Sequence, residues 1–185
     1  MRIVGITWNW DGDLYGILDV ESSPEISPPP PPPPESGEQI INGGLEDLPI
    51  PDPGDPPIGW HEYFSNNNYE VVSDIIHSGT FALHIFYGSS YPGGLANKVT
   101  VPVAKIDISN FIVWVRGTGA QSGNISIQLI YSDGTFTNIT LDNSDWFQVD
   151  LKSYMPDGKS FSEIRFLEGY SGNEMWVDDL SLIKT

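Results

Sequence analysis

The sequence predicts an all-β protein, an antiparallel sandwich preceded by a β-hairpin and a polyproline spacer. Three observations carry that expectation. From residue 41 onward, short alternating apolar runs recur between Gly-, Asn- and Asp-rich turns, and no stretch has a convincing helical period. Seven consecutive prolines, residues 28–34, can form neither helix nor central strand. Ahead of them, residues 1–20 alternate on both sides of Asp11-Gly12, a dipeptide suited to a type I′ hairpin turn.

The hairpin comes first in the chain. Pairing outward from a two-residue Asp11-Gly12 turn sets Trp8 across from Tyr15 and Ile6 across from Ile17. Ile3, Leu14, Leu18 and Val20 make the other face apolar as well. An isolated two-stranded ribbon is marginal in water, so this one needs a surface to dock on. That surface is a partner, another copy, or the chain's own C-terminal domain. Ile6, Trp8, Trp10, Tyr15 and Ile17 are the candidate anchoring residues. Residues 21–40 are the spacer. Polyproline II rises about 3.1 Å per residue, so the proline run alone separates its ends by about 20 Å. The run is not flanked by a basic residue, which argues against an SH3-type ligand.

Residues 41–185 carry the sandwich. The expected strands are YEVVS, FALHIFYG, NKVTVPV, FIVWVRG, ISIQLIYS, FTNITL, WFQVDL, SEIRFLE and MWVDDLSLI. A long connection between the first strands favours a jelly roll. Trp60 and Trp146 are expected in the core.

Composition excludes several functions. A formal net charge of −17, with only 8 Lys plus Arg in 185 residues, disfavours nucleic acid and anionic membrane surfaces. Cysteine is absent, so neither disulfides nor thiolate metal sites are available. No apolar run approaches the length of a membrane span, and MRIVGITWNWDGD lacks the pattern of a secretory signal. Catalysis has little support. Glu163 and Glu168 have an odd spacing that puts them on opposite faces of one strand, His61-Glu62 is not followed by a second histidine, and the three histidines are scattered. Two glycosylation triplets, Asn124-Ile125-Ser126 and Asn138-Ile139-Thr140, fit an exposed extracellular sheet.

Five segments in order carry a resemblance: Ile41-Asn42-Gly43-Gly44-Leu45-Glu46 with Gly59-Trp60; His77-Ser78-Gly79-Thr80-Phe81-Ala82-Leu83; Phe111 to Gly117; Trp146 to Leu151; and Trp176 to Leu182. In order and spacing this resembles the jelly-roll carbohydrate-binding modules, galactose-binding-like β-sandwiches, that are appended to xylanases and related glycanases. The resemblance spans residues 41–185 and nothing before them. It implies a structural Ca²⁺, with Glu46 and Asp178 as carboxylate ligands and backbone oxygens from Gly44 and from Ser78 or Thr80. The residues also make sense of an ion. Strand alternation places Asp178 in register with Leu180 and Leu182, so its carboxylate is expected on the buried side, an unfavourable place for an unpaired charge.

Glycan recognition needs aromatic faces and planar polar groups. Alternation gives four central strands one such side chain each, so His84, Trp114, Gln128 and Arg165 are expected to line one shallow cleft. A second set is the loop tyrosines Tyr63, Tyr69, Tyr87, Tyr91 and Tyr170. The expected function is non-catalytic. The main reading is a virion decoration protein whose hairpin docks on a capsid or tail and whose outer domain meets surface polysaccharide. The alternatives are a secreted or cell-surface carbohydrate-binding module, and a filament subunit that exchanges its N-terminal strand with other copies.

Overall fold

The computed structural model describes residues 2–10, 14–21, 36–47, 55–63, 68–86, 93–118, 125–141, 143–168 and 173–185. The chain divides into two compact units, Met1–Pro33 and Pro34–Thr185. Residues 22–35 of the expected spacer, with the whole proline run, lie outside the described residues, as do Tyr87, Tyr91 and Tyr170.

In the first unit, β1 (Arg2–Trp10) pairs antiparallel with β2 (Leu14–Glu21). The register differs from the expected one by a residue: Trp8 faces Gly16, Ile6 faces Leu18, Asn9 faces Tyr15 and Thr7 faces Ile17. The innermost pair is Trp10 with Leu14, so residues 11–13 rather than a two-residue turn lie between the strands. A one-residue slip moves every partner, which is why a dipeptide signal alone did not set the pairing. Of the candidate anchors, Ile6, Trp8 and Trp10 lie on β1 and Tyr15 and Ile17 on β2.

The second unit is an antiparallel two-sheet sandwich. Its strands are β3 (Gly37–Glu38), β4 (Trp60–Glu62), β5 (Tyr69–Val72), β6 (Ala82–Phe86), β7 (Gly93–Ala104), β8 (Ile108–Thr118), β9 (Ile125–Tyr131), β10 (Phe136–Leu141), β11 (Phe147–Asp150), β12 (Ser160–Glu168) and β13 (Glu174–Lys184). One sheet runs β10-β9-β12-β7-β4 and the other β11-β8-β13-β6-β5, with β3 pairing on β13. Every expected strand is present, most of them shifted by a residue or two at an end. β7 extends back to Gly93, four residues before the expected start at Asn97. Between β11 and β12 lies a single helical turn, α1 (Leu151–Tyr154), where WFQVDL had suggested a strand to Leu151. Asp150 explains it, because its side chain accepts from Ser153 N at 3.4 Å and caps the turn.

Residues 37–40, which composition places in the spacer, belong to the sandwich. Glu38 and Gly37 pair with Ile183 and Lys184, and Ile40 is buried in the core. The carboxylate of Glu38 accepts from the backbone N–H of Gln39, Ile40 and Leu182 at 2.8–3.0 Å, which turns a polar, linker-like segment into the first strand.

The core lies between the sheets. Leu83, Ile85, Val113, Val115, Met175 and Val177 point inward from one side, and Leu95, Ile127, Leu129, Ile164 and Phe166 from the other. Phe111 meets Phe161 edge-on at 4.6 Å, and Trp60 packs on Phe166 at 5.8 Å. Trp60 is therefore a core residue, and its Nε1 donates to the carbonyl of Asn42. Trp146 is not one: it is half-buried and stands edge-on to His77 on the outer side of the β8-containing sheet.

Gly43 shows how closely the opening segment lies on the last strand. Its carbonyl accepts from Leu180 N at 3.1 Å, and a Cβ placed on it would sit 1.8 Å from the carbonyl oxygen of Leu180. We expect Gly43→Ala to destabilise the sandwich by about 1–3 kcal/mol, since neither backbone can yield without breaking that contact. Urea denaturation of the full chain measures this, and an unchanged midpoint would show that the segment is not held there.

Candidate functional site

Two places concentrate chemistry: a carboxylate-rich turn at one end of β13, and the outer face of the β9-containing sheet.

At the first, the expected alternation of β13 is interrupted. Met175 and Val177 face the core, and so do Leu180 and Leu182, a change of parity absorbed by a bulge between Asp178 and Ser181. Asp179 takes φ 49° there. Asp178 consequently shares a face with Trp176 and Trp114 rather than with the leucines, which corrects the direction inferred from the sequence. It is nonetheless fully buried, because the turn of residues 77–81 folds over it.

That turn is held by carboxylates. Asp178 Oδ2 accepts from His77 N at 3.0 Å and Ser78 N at 3.1 Å, while its Oδ1 accepts from Asp179 N at 2.7 Å. Glu46 Oε1 accepts from Thr80 N at 2.7 Å and Phe81 N at 3.0 Å. Asp179 adds a third carboxylate, bonded to Ser78 Oγ and lying 2.7 Å from His77 Nδ1. Gly44 is beside it, with room for a Cβ 3.7 Å from Asp179 Oδ1. Glu46, Gly44, Ser78, Thr80 and Asp178 are thus brought together. His77 and Asp179 join them, beyond the residues expected from the sequence. A ligand atom from each of His77, Asp178 and Asp179 lies within 4.8 Å of the others. The signal available for them was adjacency: His77 precedes Ser78, and Asp179 follows Asp178.

The electrostatics follow from the partners. Burial pushes the Asp178 carboxyl above its ordinary value, and the neighbouring Asp179 charge adds to this, against the lowering effect of the backbone N–H groups. The N–H of Thr80 holds Glu46 below the ordinary glutamate range. The donor set is one a hard cation accepts: a carboxylate has about four lone-pair sites, and the bonds above occupy three on Asp178 and two on Glu46.

At the second place, the four expected cleft residues separate. Gln128 and Arg165 pair directly on β9 and β12, facing outward from one sheet. His84 and Trp114 lie on the outer side of the other sheet, where neighbouring rings and charges engage them. His84 stacks on Trp176 at 4.6 Å with an interplanar angle of 2°, bonds Glu70 through Nδ1 at 2.9 Å, and has Glu174 3.5 Å from Nε2. Trp114 stacks on His77 at 3.7 Å. Each strand's alternation was right, but alternation within a strand does not say which sheet the strand joins.

The Gln128 and Arg165 row continues across the sheet, with Arg165 opposite Ala96 and Ala96 opposite His61. Arg165 lies over the ring of Tyr63, its Cζ 4.2 Å from the centroid, and its Nε donates to Glu163 Oε1. Glu163 Oε2 lies 3.9 Å from His61 Nε2. The guanidinium is therefore oriented from two sides before any ligand arrives. Tyr63 is 39% exposed, whereas Tyr69 is a buried core residue whose hydroxyl donates to Glu62. Glu163 and His61 form no catalytic motif; the sheet register brings Glu163 to Arg165 and His61 to Glu163.

No family model matches this chain, and no curated protein matches it. Solved structures do. A family 61 carbohydrate-binding module in complex with β-1,4-galactotriose matches with a TM-score of 0.51 at 18% identity, covering 80% of this chain and 99% of that one. An exo-β-agarase matches over 25% of its own chain and 80% of this one, with a TM-score of 0.51 at 11% identity. A family 16 carbohydrate-binding module matches with a TM-score of 0.49 at 17% identity, over 79% of this chain and 99% of its own. The resemblance read from residues 41–185 holds at the level of the fold.

The lowered Glu46 carboxyl sets a pH dependence. A group depressed in the folded state contributes stability that is present above its unfolded value and lost as pH falls through the folded one. Thermal melts of wild type and Glu46→Gln should differ at neutral pH and converge in acid. A gap that persists unchanged below the carboxylate range would mean that the charge on Glu46 does not hold the turn.

Proposed function

We propose that the sandwich is a non-catalytic carbohydrate-binding module whose site is the outer face of the β9-containing sheet. The observation that carries this reading is Arg165, fixed by Glu163 and stacked over Tyr63, in a row with Gln128 and His61. A fixed planar guanidinium and a side-chain amide offer donors in the plane that sugar hydroxyls need. Neighbouring strands are about 4.8 Å apart, so the row from His61 to Gln128 extends about 14 Å across the sheet, enough for a short oligosaccharide. With a chain charge of −17, a neutral glycan suits the face better than a polyanionic one.

Retention on a glycan array tests the site. Arg165→Ala and Gln128→Ala should each weaken binding roughly tenfold or more, with melting temperatures close to wild type because both side chains are outside the core. Weakening by His84→Ala instead would move the site to the opposite sheet, and a wild-type chain that retains no glycan on a broad array would remove the function.

The carboxylate-rich turn is proposed as a structural Ca²⁺ site. Glu46 and Asp178 would hold the ion with carbonyl oxygens of Gly44 and of Ser78 or Thr80, and Asp179 adds charge beside them. An ion bound only in the native state stabilises by mass action. Ca²⁺ should therefore raise the melting temperature of protein shown by elemental analysis to be metal-free, and Asp178→Ala should abolish the increment. Identical melting with and without Ca²⁺ would refute the site.

The paired strands of Met1–Pro33 form a unit of their own, which favours an attachment role for β1 and β2. The reading that uses this unit is display on a virion surface, with the unit docked on a capsid or tail. Residues 1–27 fused to an unrelated soluble protein should then carry it into the parent assembly.

A further inference from the structure

The outermost strands of the two sheets differ in how they meet solvent. β4 has three residues, among them His61 and Glu62; β11 has four and carries Asp150; β5 has four and carries Glu70. β10 has six, Phe136–Leu141, and its sequence FTNITL contains neither an ionisable group nor a proline. Among the described residues it pairs with β9 alone. Sheets ordinarily blunt such an edge with charge, proline or shortness, and β10 has none of these.

The direction of its backbone groups follows from the turn that starts it. Tyr131 N donates to Thr135 O at 2.9 Å, and the same register continues as Phe136 with Ile130, Thr137 with Leu129 and Asn138 with Gln128. In an antiparallel ladder hydrogen-bonded pairs alternate with non-bonded ones. Thr137 and Ile139 therefore bond to β9, while Phe136, Asn138 and Thr140 turn their N–H and C=O groups to the open side.

We propose that this edge pairs with β10 of a second copy of the chain, antiparallel, with Asn138 opposite Asn138 about a two-fold axis. The absence of charge permits this occupant, and the self-complementary register argues for it. Two chains of −17 repel wherever carboxylates face one another, and β10 is a strip on which they do not. The register matches outward-turned residues with outward-turned residues. It sets Phe136, 56% exposed, against Thr140 of the second copy on the outer face, brings the two Asn138 amides together, and places Thr137 opposite Ile139 on the inner side. Three hydrogen-bonded pairs supply about six backbone bonds, whose net worth set against the entropy of association gives a weak, concentration-dependent dimer. The two five-stranded sheets become one of ten strands, so where the glycan site proposed above holds, two such sites share a surface and act together on one polymer.

Sedimentation velocity of the full chain, prepared without a glycan on Asn138, across a concentration series is the test. Wild type should move between monomer and dimer. Asn138→Pro removes one outward N–H and leaves the β9 bonds intact, so it should raise the dissociation constant roughly tenfold or more without lowering the melting temperature appreciably. Thr140→Lys, on the exposed face, tests the same contact should the proline variant melt early. Hydrogen exchange should show the amides of Phe136, Asn138 and Thr140 gaining protection as concentration rises. A chain that stays monomeric, or a dimer that both variants leave intact because it forms through β1 and β2, overturns the proposal.

Discussion

The sandwich depends on the backbone amides of residues 77–81 being taken up by carboxylates from both ends of the domain. Asp178, from the last strand, accepts from His77 and Ser78, and Glu46, from the opening segment, accepts from Thr80 and Phe81. Without them the part-buried N–H groups of His77 and Ser78 would lose their partner, and those of Thr80 and Phe81 would have only solvent. With them, segments about a hundred residues apart in sequence are joined at one point. Gly79 is part of the same constraint: its φ of +66° suits glycine, and a Cβ there would lie 2.3 Å from Glu46 Oε1.

This arrangement explains why the two outer faces differ. On the β8-containing sheet the turn brings His77 onto Trp114, and Trp176 is covered by His84, so the rings there complete one another. That face is furnished with its own partners. On the β9-containing sheet no comparable turn covers the centre among the described residues, and Arg165 is oriented by Glu163 and Tyr63. Orientation by side chains that leave a surface accessible is what a binding face requires.

The same division bears on charge. The carboxylates of the 77–81 turn and Glu38 are engaged with backbone amides, so part of the chain's acidity maintains local geometry. β10 lies apart from these groups and carries no ionisable residue. Solubility and self-contact can therefore be governed by different parts of one acidic surface.

The sequence by itself determined the strands and the pairing of glycine-rich turns with them, because alternation and turn chemistry act over a few residues. It also marked Glu46, Gly44, Ser78, Thr80 and Asp178 as a group through their resemblance to known modules. What it did not contain was the allocation of strands to sheets. His84 and Trp114 alternate as faithfully as Gln128 and Arg165, yet β6 and β8 join one layer while β9 and β12 join the other. Nor did it show the bulge at Asp179, which turns Asp178 away from the leucines it had seemed to accompany. Periodicity is a property of one strand, whereas layer, register and bulge are decided by which strands meet. Only the tertiary structure could place Tyr63, Glu163 and Arg165 together, since their contact depends on β4, β7 and β12 lying side by side.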